Sequence, residues 1–145
     1  SMYVHTFGAY FGIACAWMLG PKKIAKENPN IGANYNSNLF SAIGTLFLFM
    51  FWPSFNGALA TGNSQHRVVV NTVLALCAST MGAFFVPALL NKGLFRMEDC
   101  LNATLTGGVI IGSSSDLVAA AWVSILIGFL GGCVSCLCFN KLSEW

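Results

Sequence analysis

Among 145 residues, the side chains best suited to chemistry are two histidines, six cysteines and an aromatic cluster around Trp52. His5 stands in an opening run, residues 1–21, that contains no Lys, Arg, Asp or Glu. A neutral imidazole offers one hydrogen-bond donor and one acceptor, so His5 could relay a proton or hold a small polar solute. The same residue could equally be a structural histidine satisfied by a neighbouring helix, and its position alone leaves both readings open. His66 lies in a short polar stretch and reads as a solvated surface residue.

Trp52-Pro53-Ser54-Phe55-Asn56 forms a second constellation. Pro53 removes a backbone donor, and Asn56 and Gly57 follow closely, which together predict a local kink. Phe55 could then enter a lumen as an apolar plug, with Trp52 one turn earlier beside it. Such a plug excludes hydrated ions and swings aside for a small neutral molecule. Ordinary aromatic packing at a kinked helix would explain the same residues.

The remaining motifs carry less. Cys133-Val-Ser-Cys136 has the spacing of a metal pair but lacks a second ligand set, and five of the six cysteines lie inside apolar runs as small hydrophobes. No metal or other cofactor is expected. Asn102-Ala103-Thr104 matches a glycosylation acceptor, but at the start of an apolar segment on the expected cytoplasmic side it reads as unmodified. No nucleophile elbow or phosphate loop is present and the acids are scattered, so the chain does not read as an enzyme.

The elements that must position these residues follow from composition. Hydrophobic residues make up 56% and charged residues only 8%, where soluble domains carry about a quarter charged. Residues 1–21, 38–66, 68–91 and 117–140 are free of Lys, Arg, Asp and Glu. About 20 mostly apolar residues span a bilayer core, so the expected fold is an all-α integral membrane bundle, with the lipid bilayer as its solvent. Five segments are expected, at 3–20, 38–61, 68–90, 101–115 and 117–139, in one membrane unit covering 1–145. The fourth is short and glycine-rich, and an alternative in which the last two form a re-entrant hairpin stays open. The opening is apolar from the outset with no basic leader, as expected of a segment whose beginning is missing.

Charge sets the expected orientation. Five spans put Lys22, Lys23, Lys26, Lys92, Arg96 and Lys141 on one side and only Arg67 on the other. The positive-inside rule assigns loops 21–37 and 91–99 to the cytoplasm, with Asp116 on the outer side at a helix end. These basic residues form no patch that would bind nucleic acid. Gly8, Gly12, Ala16 and Gly20, spaced by four, make a small-residue stripe with His5 near its centre line. Such stripes let backbones approach closely inside membranes, and the Gly108/Gly112 and Gly128/Gly132 pairs repeat the device.

His5-Thr-Phe-Gly-Ala-Tyr-Phe-Gly12, Ile43-Gly-Thr-Leu-Phe-Leu-Phe-Met-Phe-Trp-Pro-Ser-Phe-Asn-Gly57, Ser64-Gln-His-Arg67 and Asn102-Ala-Thr-Leu-Thr-Gly-Gly-Val109 resemble the Rh glycoprotein branch of the Amt/Mep/Rh family. The resemblance covers the whole chain in family order. It implies an ammonia or ammonium channel or transporter, with carbon dioxide as a further candidate solute, that assembles as a homotrimer in the plasma membrane. Each subunit would enclose its own hydrophobic pore in an inverted repeat of 11–12 helices. His5 matches the first of two pore histidines, Phe55 the inner phenylalanine of the gate, and Trp52 a pore-side position. The second histidine is expected beyond Trp145, and the outer phenylalanine and a recruiting acidic residue before Ser1. The competing expectation is a non-transporting structural membrane subunit, a degenerate Rh-like scaffold; a transporter of some other fold is a third.

Overall fold

In the computed structural model the described residues are 2–19, 33–90 and 92–142, and every regular element among them is an α-helix. The helices are α1 (Met2–Leu19), α2 (Tyr35–Gly57), α3 (Asn63–Leu90), α4 (Met97–Ile111) and α5 (Ala121–Leu142). Lys22, Lys23 and Lys26, and Gly20 of the expected stripe, lie outside the described residues. The chain divides into two compact units, Ser1–Ser37 and Asn38–Trp145.

In the first unit, α1 has no buried residue and carries a stacked Phe7–Phe11 pair with ring centroids 6.0 Å apart. Its glycine stripe meets no neighbour within the unit: a Cβ built on Gly8 or Gly12 would have nothing within 4 Å. The unit ends in a reciprocal cap that starts α2. The Ser37 N–H donates to Asn34 Oδ1 at 2.8 Å, and the Asn34 N–H donates to Ser37 Oγ at 3.0 Å. That exchange satisfies two backbone donors which a helix start leaves open.

The second unit is organised around α3, whose 28 residues reach roughly 42 Å. One of its faces is built from Asn71, Thr72, Ala75, Ala78, Ser79, Gly82 and Ala83, all buried. Because those side chains are small, α4 and α5 come in to backbone contact. A Cβ added to Gly128 of α5 would lie 2.6 Å from Ala75 Cα, and one on Gly132 would lie 2.9 Å from Ser79 Cα. The paired positions rise together, so α3 and α5 run parallel. On the other flank, Gly107 of α4 sits on the Ala75 carbonyl. The Ser79 Oγ donates to the Thr104 carbonyl at 2.6 Å, and Cys100 Sγ reaches Ala83 O at 4.0 Å. Positions on α4 fall as those on α3 rise, so α4 runs antiparallel to both.

Polar groups at each end of this three-helix body are held by partners. Asn71, buried, donates both amide hydrogens to loop carbonyls, Ser115 O and Val118 O, each at 2.8 Å. The Arg67 Nη1 donates to Asp116 O at 3.2 Å on the same end. At the opposite end the fully buried Asp99 accepts from Asn140 Nδ2 at 3.0 Å, with Arg96 Nε 3.9 Å away. Lys92, Arg96 and Lys141 therefore share one end of the second unit and Arg67 the other.

Among the described residues four helices, α1, α2, α3 and α5, are long and apolar enough to cross a membrane. The fourth in chain order, α4, has 15 residues and reaches only about 22 Å, less than the roughly 30 Å hydrocarbon core. It ends at Ile111 because Gly112–Ser115 turn back into the loop that Asn71 holds. His66, expected in a loop, lies exposed in the first turn of α3, which begins earlier than its apolar run.

Candidate pore-lining site

The C-terminal half of α2 carries the aromatic residues singled out above. The helix runs continuously through Pro53, which is buried. Proline supplies no N–H to the carbonyl one turn back, that of Phe49, so this stretch of α2 holds itself together less well than its neighbours. The Asn56 side chain, three residues on, ties this stretch to two other helices.

Trp52 and Phe55 meet edge to face, with ring centroids 6.2 Å apart and an interplanar angle of 64°. That is a favourable geometry for two aromatic quadrupoles. Phe55 is 66% exposed, while Trp52 is half-buried. The indole lies on Gly108 of α4: a Cβ there would fall 2.5 Å from Trp52 Nε1 and 2.7 Å from Cε2. The covered Nε1–H has no hydrogen-bond partner. A buried donor without an acceptor costs about 1–3 kcal/mol. The Trp52–Phe55 pair therefore presents ring surface and no accessible hydrogen-bonding edge.

The next residue, Asn56, is tied into the bundle. Its Nδ2 donates to Thr72 Oγ1 of α3 at 3.2 Å and to Gly108 O of α4 at 3.1 Å. Its Oδ1 stands 3.0 Å from where a Gly112 Cβ would be. Gly57, one residue on, contacts Val68 Cγ1 at 3.7 Å by the same measure. Sequence reasoning read Asn56 only as part of a kink and the α4 glycines only as packing. The available signal was that an amide in an apolar span must find partners, and that Asn56 shares a helix face with Trp52.

His5 lies exposed on α1, in the first unit. Of the three expected site residues the structure brings Trp52 and Phe55 together. A cleft of about 240 Å³ opens between α2 and α4, lined by Ser41, Thr45, Glu98 and Asn102 among others. Among the described residues no three His, Cys, Asp or Glu side chains are grouped to hold a metal ion.

The sequence model of the Ammonium Transporter Family matches residues 1–145. The chain is 44% identical over 145 residues to Ammonium transporter Rh type C of Xenopus laevis, covering 99% of this chain and 31% of that protein. It is 46% identical over 139 residues to Ammonium transporter Rh type B of Mus musculus, covering 94% and 30% respectively. A solved structure, described as Nitrosomonas europaea Rh50 and the mechanism of conduction by the Rhesus protein family of channels, superposes with a TM-score of 0.85 at 35% identity. It covers 97% of this chain and 38% of that one. The chain thus spans about a third of the length of the relatives it matches. An apolar helical bundle, the aromatic pair seated on α4, and likeness to Rh proteins in both sequence and fold lead to one assignment: this multi-pass membrane chain belongs to the ammonium transporter family, on its Rh branch.

Proposed function

We propose that the protein containing this chain conducts ammonia or ammonium across a membrane, with Phe55 as part of an aromatic gate and His5 as one of its pore histidines. The observation that carries this reading is the Trp52–Phe55 pair, anchored on one side by α4 and exposed on the other. Ammonium sheds a proton before the gate, because a desolvated cation in an apolar passage is costly while ammonia is not. Ammonia passes Phe55 and Trp52, hydrogen-bonds to or exchanges a proton with His5, and regains a proton on the far side. Carbon dioxide, likewise small and neutral, could share the route.

The names of the relatives support the substrate, since the Rh type B and type C proteins are ammonium transporters. The assembly is proposed to be a homotrimer with one pore per subunit, in the plasma membrane, with loops 21–37 and 91–99 in the cytoplasm. Lys92, Arg96 and Lys141 on one end of the second unit fit that sidedness. A non-enzymatic role follows from the same reading, in which the protein passes its substrate unchanged.

The test uses a spliced channel, in which residues 1–145 replace the matching third of the Xenopus laevis Rh type C protein. Methylammonium uptake and ammonium-evoked current are measured together in oocytes. Phe55→Ala is expected to raise current relative to uptake by about tenfold or more, and His5→Ala to cut uptake by about tenfold, each equivalent to roughly 1.4 kcal/mol. Unchanged uptake and unchanged current in both variants, with normal surface expression, would favour the non-transporting scaffold.

A further inference from the structure

We propose that Asn56 is a positioning residue for ion exclusion: its carboxamide, locked between α3 and α4, sets the rotation of α2 and so the direction of Phe55. The inference rests on the reading of Phe55 as a gate and adds the device that aims it. Asn56 Nδ2 donates to Thr72 Oγ1 at 3.2 Å and to Gly108 O at 3.1 Å, so its two amide hydrogens reach two different helices. One bond alone would let α2 pivot about it, whereas two bonds to different helices define both rotation and height.

Both sides of the joint are shaped for this amide. In a continuing helix the Gly112 N–H would donate to the Gly108 carbonyl. Here it closes on Val109 O instead, at 3.2 Å, and Gly108 O accepts from Asn56. The acceptor for Asn56 thus lies in the last turn of α4. Gly112 lies under Asn56 Oδ1, where a Cβ would come to 3.0 Å, and Gly108 lies under the Trp52 ring. Thr72 is fully buried, so its hydroxyl serves the interior.

The consequence for Phe55 is geometric. Successive residues on a helix are about 100° apart and residues four apart are about 40° apart. With Asn56 turned into the joint, Trp52 falls on the same face against Gly108, and Phe55 is directed outward, 66% exposed. Membrane helices have little hydrophobic drive to choose a rotation, and Pro53 leaves this turn short of a backbone bond. Polar bonds to neighbouring helices are therefore what hold the orientation.

The test compares Phe55→Ala, Asn56→Leu, Thr72→Val, Thr72→Ser and Gly112→Ala in the spliced channel, reading the ratio of ammonium-evoked current to methylammonium uptake. Asn56→Leu keeps the volume and removes both donors, and about a tenfold rise in the ratio is expected. Thr72→Val removes one acceptor and should raise the ratio severalfold, while Thr72→Ser restores it. Gly112→Ala displaces Asn56 without altering it and should act like Asn56→Leu. A purely structural role would lower surface abundance and leave the ratio of surviving channels unchanged. Should Asn56→Leu fail to reach the surface, Thr72→Val against Thr72→Ser decides the matter. A raised ratio in Phe55→Ala beside an unchanged ratio in the other variants overturns the positioning role and leaves the gate intact. An unchanged ratio in Phe55→Ala overturns the gate reading and the positioning role with it.

Discussion

Asn140 and Asp99 illustrate how much a single polar contact carries where water is excluded. Asp99 is fully buried, accepts from Asn140 Nδ2 at 3.0 Å, and keeps its other oxygen without a hydrogen-bond partner. Asn140→Leu would leave this carboxylate with only the distant Arg96, at 3.9 Å. A loss of about 1.5–3 kcal/mol is expected, seen as a lower thermal midpoint of the spliced channel in detergent. An unchanged midpoint would mean that water or another group satisfies Asp99. Gly108→Ala makes a second residue-scale case. Its Cβ would enter the Trp52 ring, so the indole must move, at a cost of about 1–3 kcal/mol. The readout is a shifted tryptophan emission with altered current-to-uptake ratio; an unmoved spectrum would show that Trp52 does not sit on Gly108.

At the scale of elements, the decisive property of α3 is its smallness on two flanks. Gly128 and Gly132 let α5 rest on the Ala75 and Ser79 backbone, and backbone atoms cannot swing aside as a side-chain tip can. Gly128→Ala is therefore expected to cost about 2–3 kcal/mol in the same detergent melt, more than Gly8→Ala, whose Cβ meets nothing in its unit. Equal effects of the two substitutions would contradict this packing. The existence and order of the five helices were legible from uncharged runs, because length and apolarity are local properties. Their ends were not. The third helix starts at Asn63, ahead of Val68, since polar residues remain helical beyond the apolar run. The fourth begins at Met97 and stops at Ile111, because Asn71, far away in sequence, holds the following loop by two carbonyls.

On the scale of the whole molecule, charge sidedness and exposed apolar surface belong together. Phe40, Phe47 and Phe51 on α2 are all exposed, as befits a chain immersed in lipid. The proposed orientation predicts that a glycosylation acceptor on a spacer inserted at residues 58–62 is modified in the spliced channel, whereas one inserted at 92–96 is not. The reverse pattern would invert the assignment made from Lys92, Arg96 and Lys141.

Sequence alone determined that this chain is membrane-embedded and helical, which way its charges divide, and which family it resembles. It also made Trp52 and Phe55 neighbours, because three residues apart on one helix is a local relation. Only the tertiary structure decided what that pair rests on. The Gly108 carbonyl that receives Asn56 is 52 residues away, and the Thr72 hydroxyl lies across a turn on another helix. Glycines at 108 and 112 look like any small-residue pair until a second helix occupies the space they leave. The reason is physical: propensity and hydropathy act along the chain, whereas close approach depends on what another segment brings to the same point.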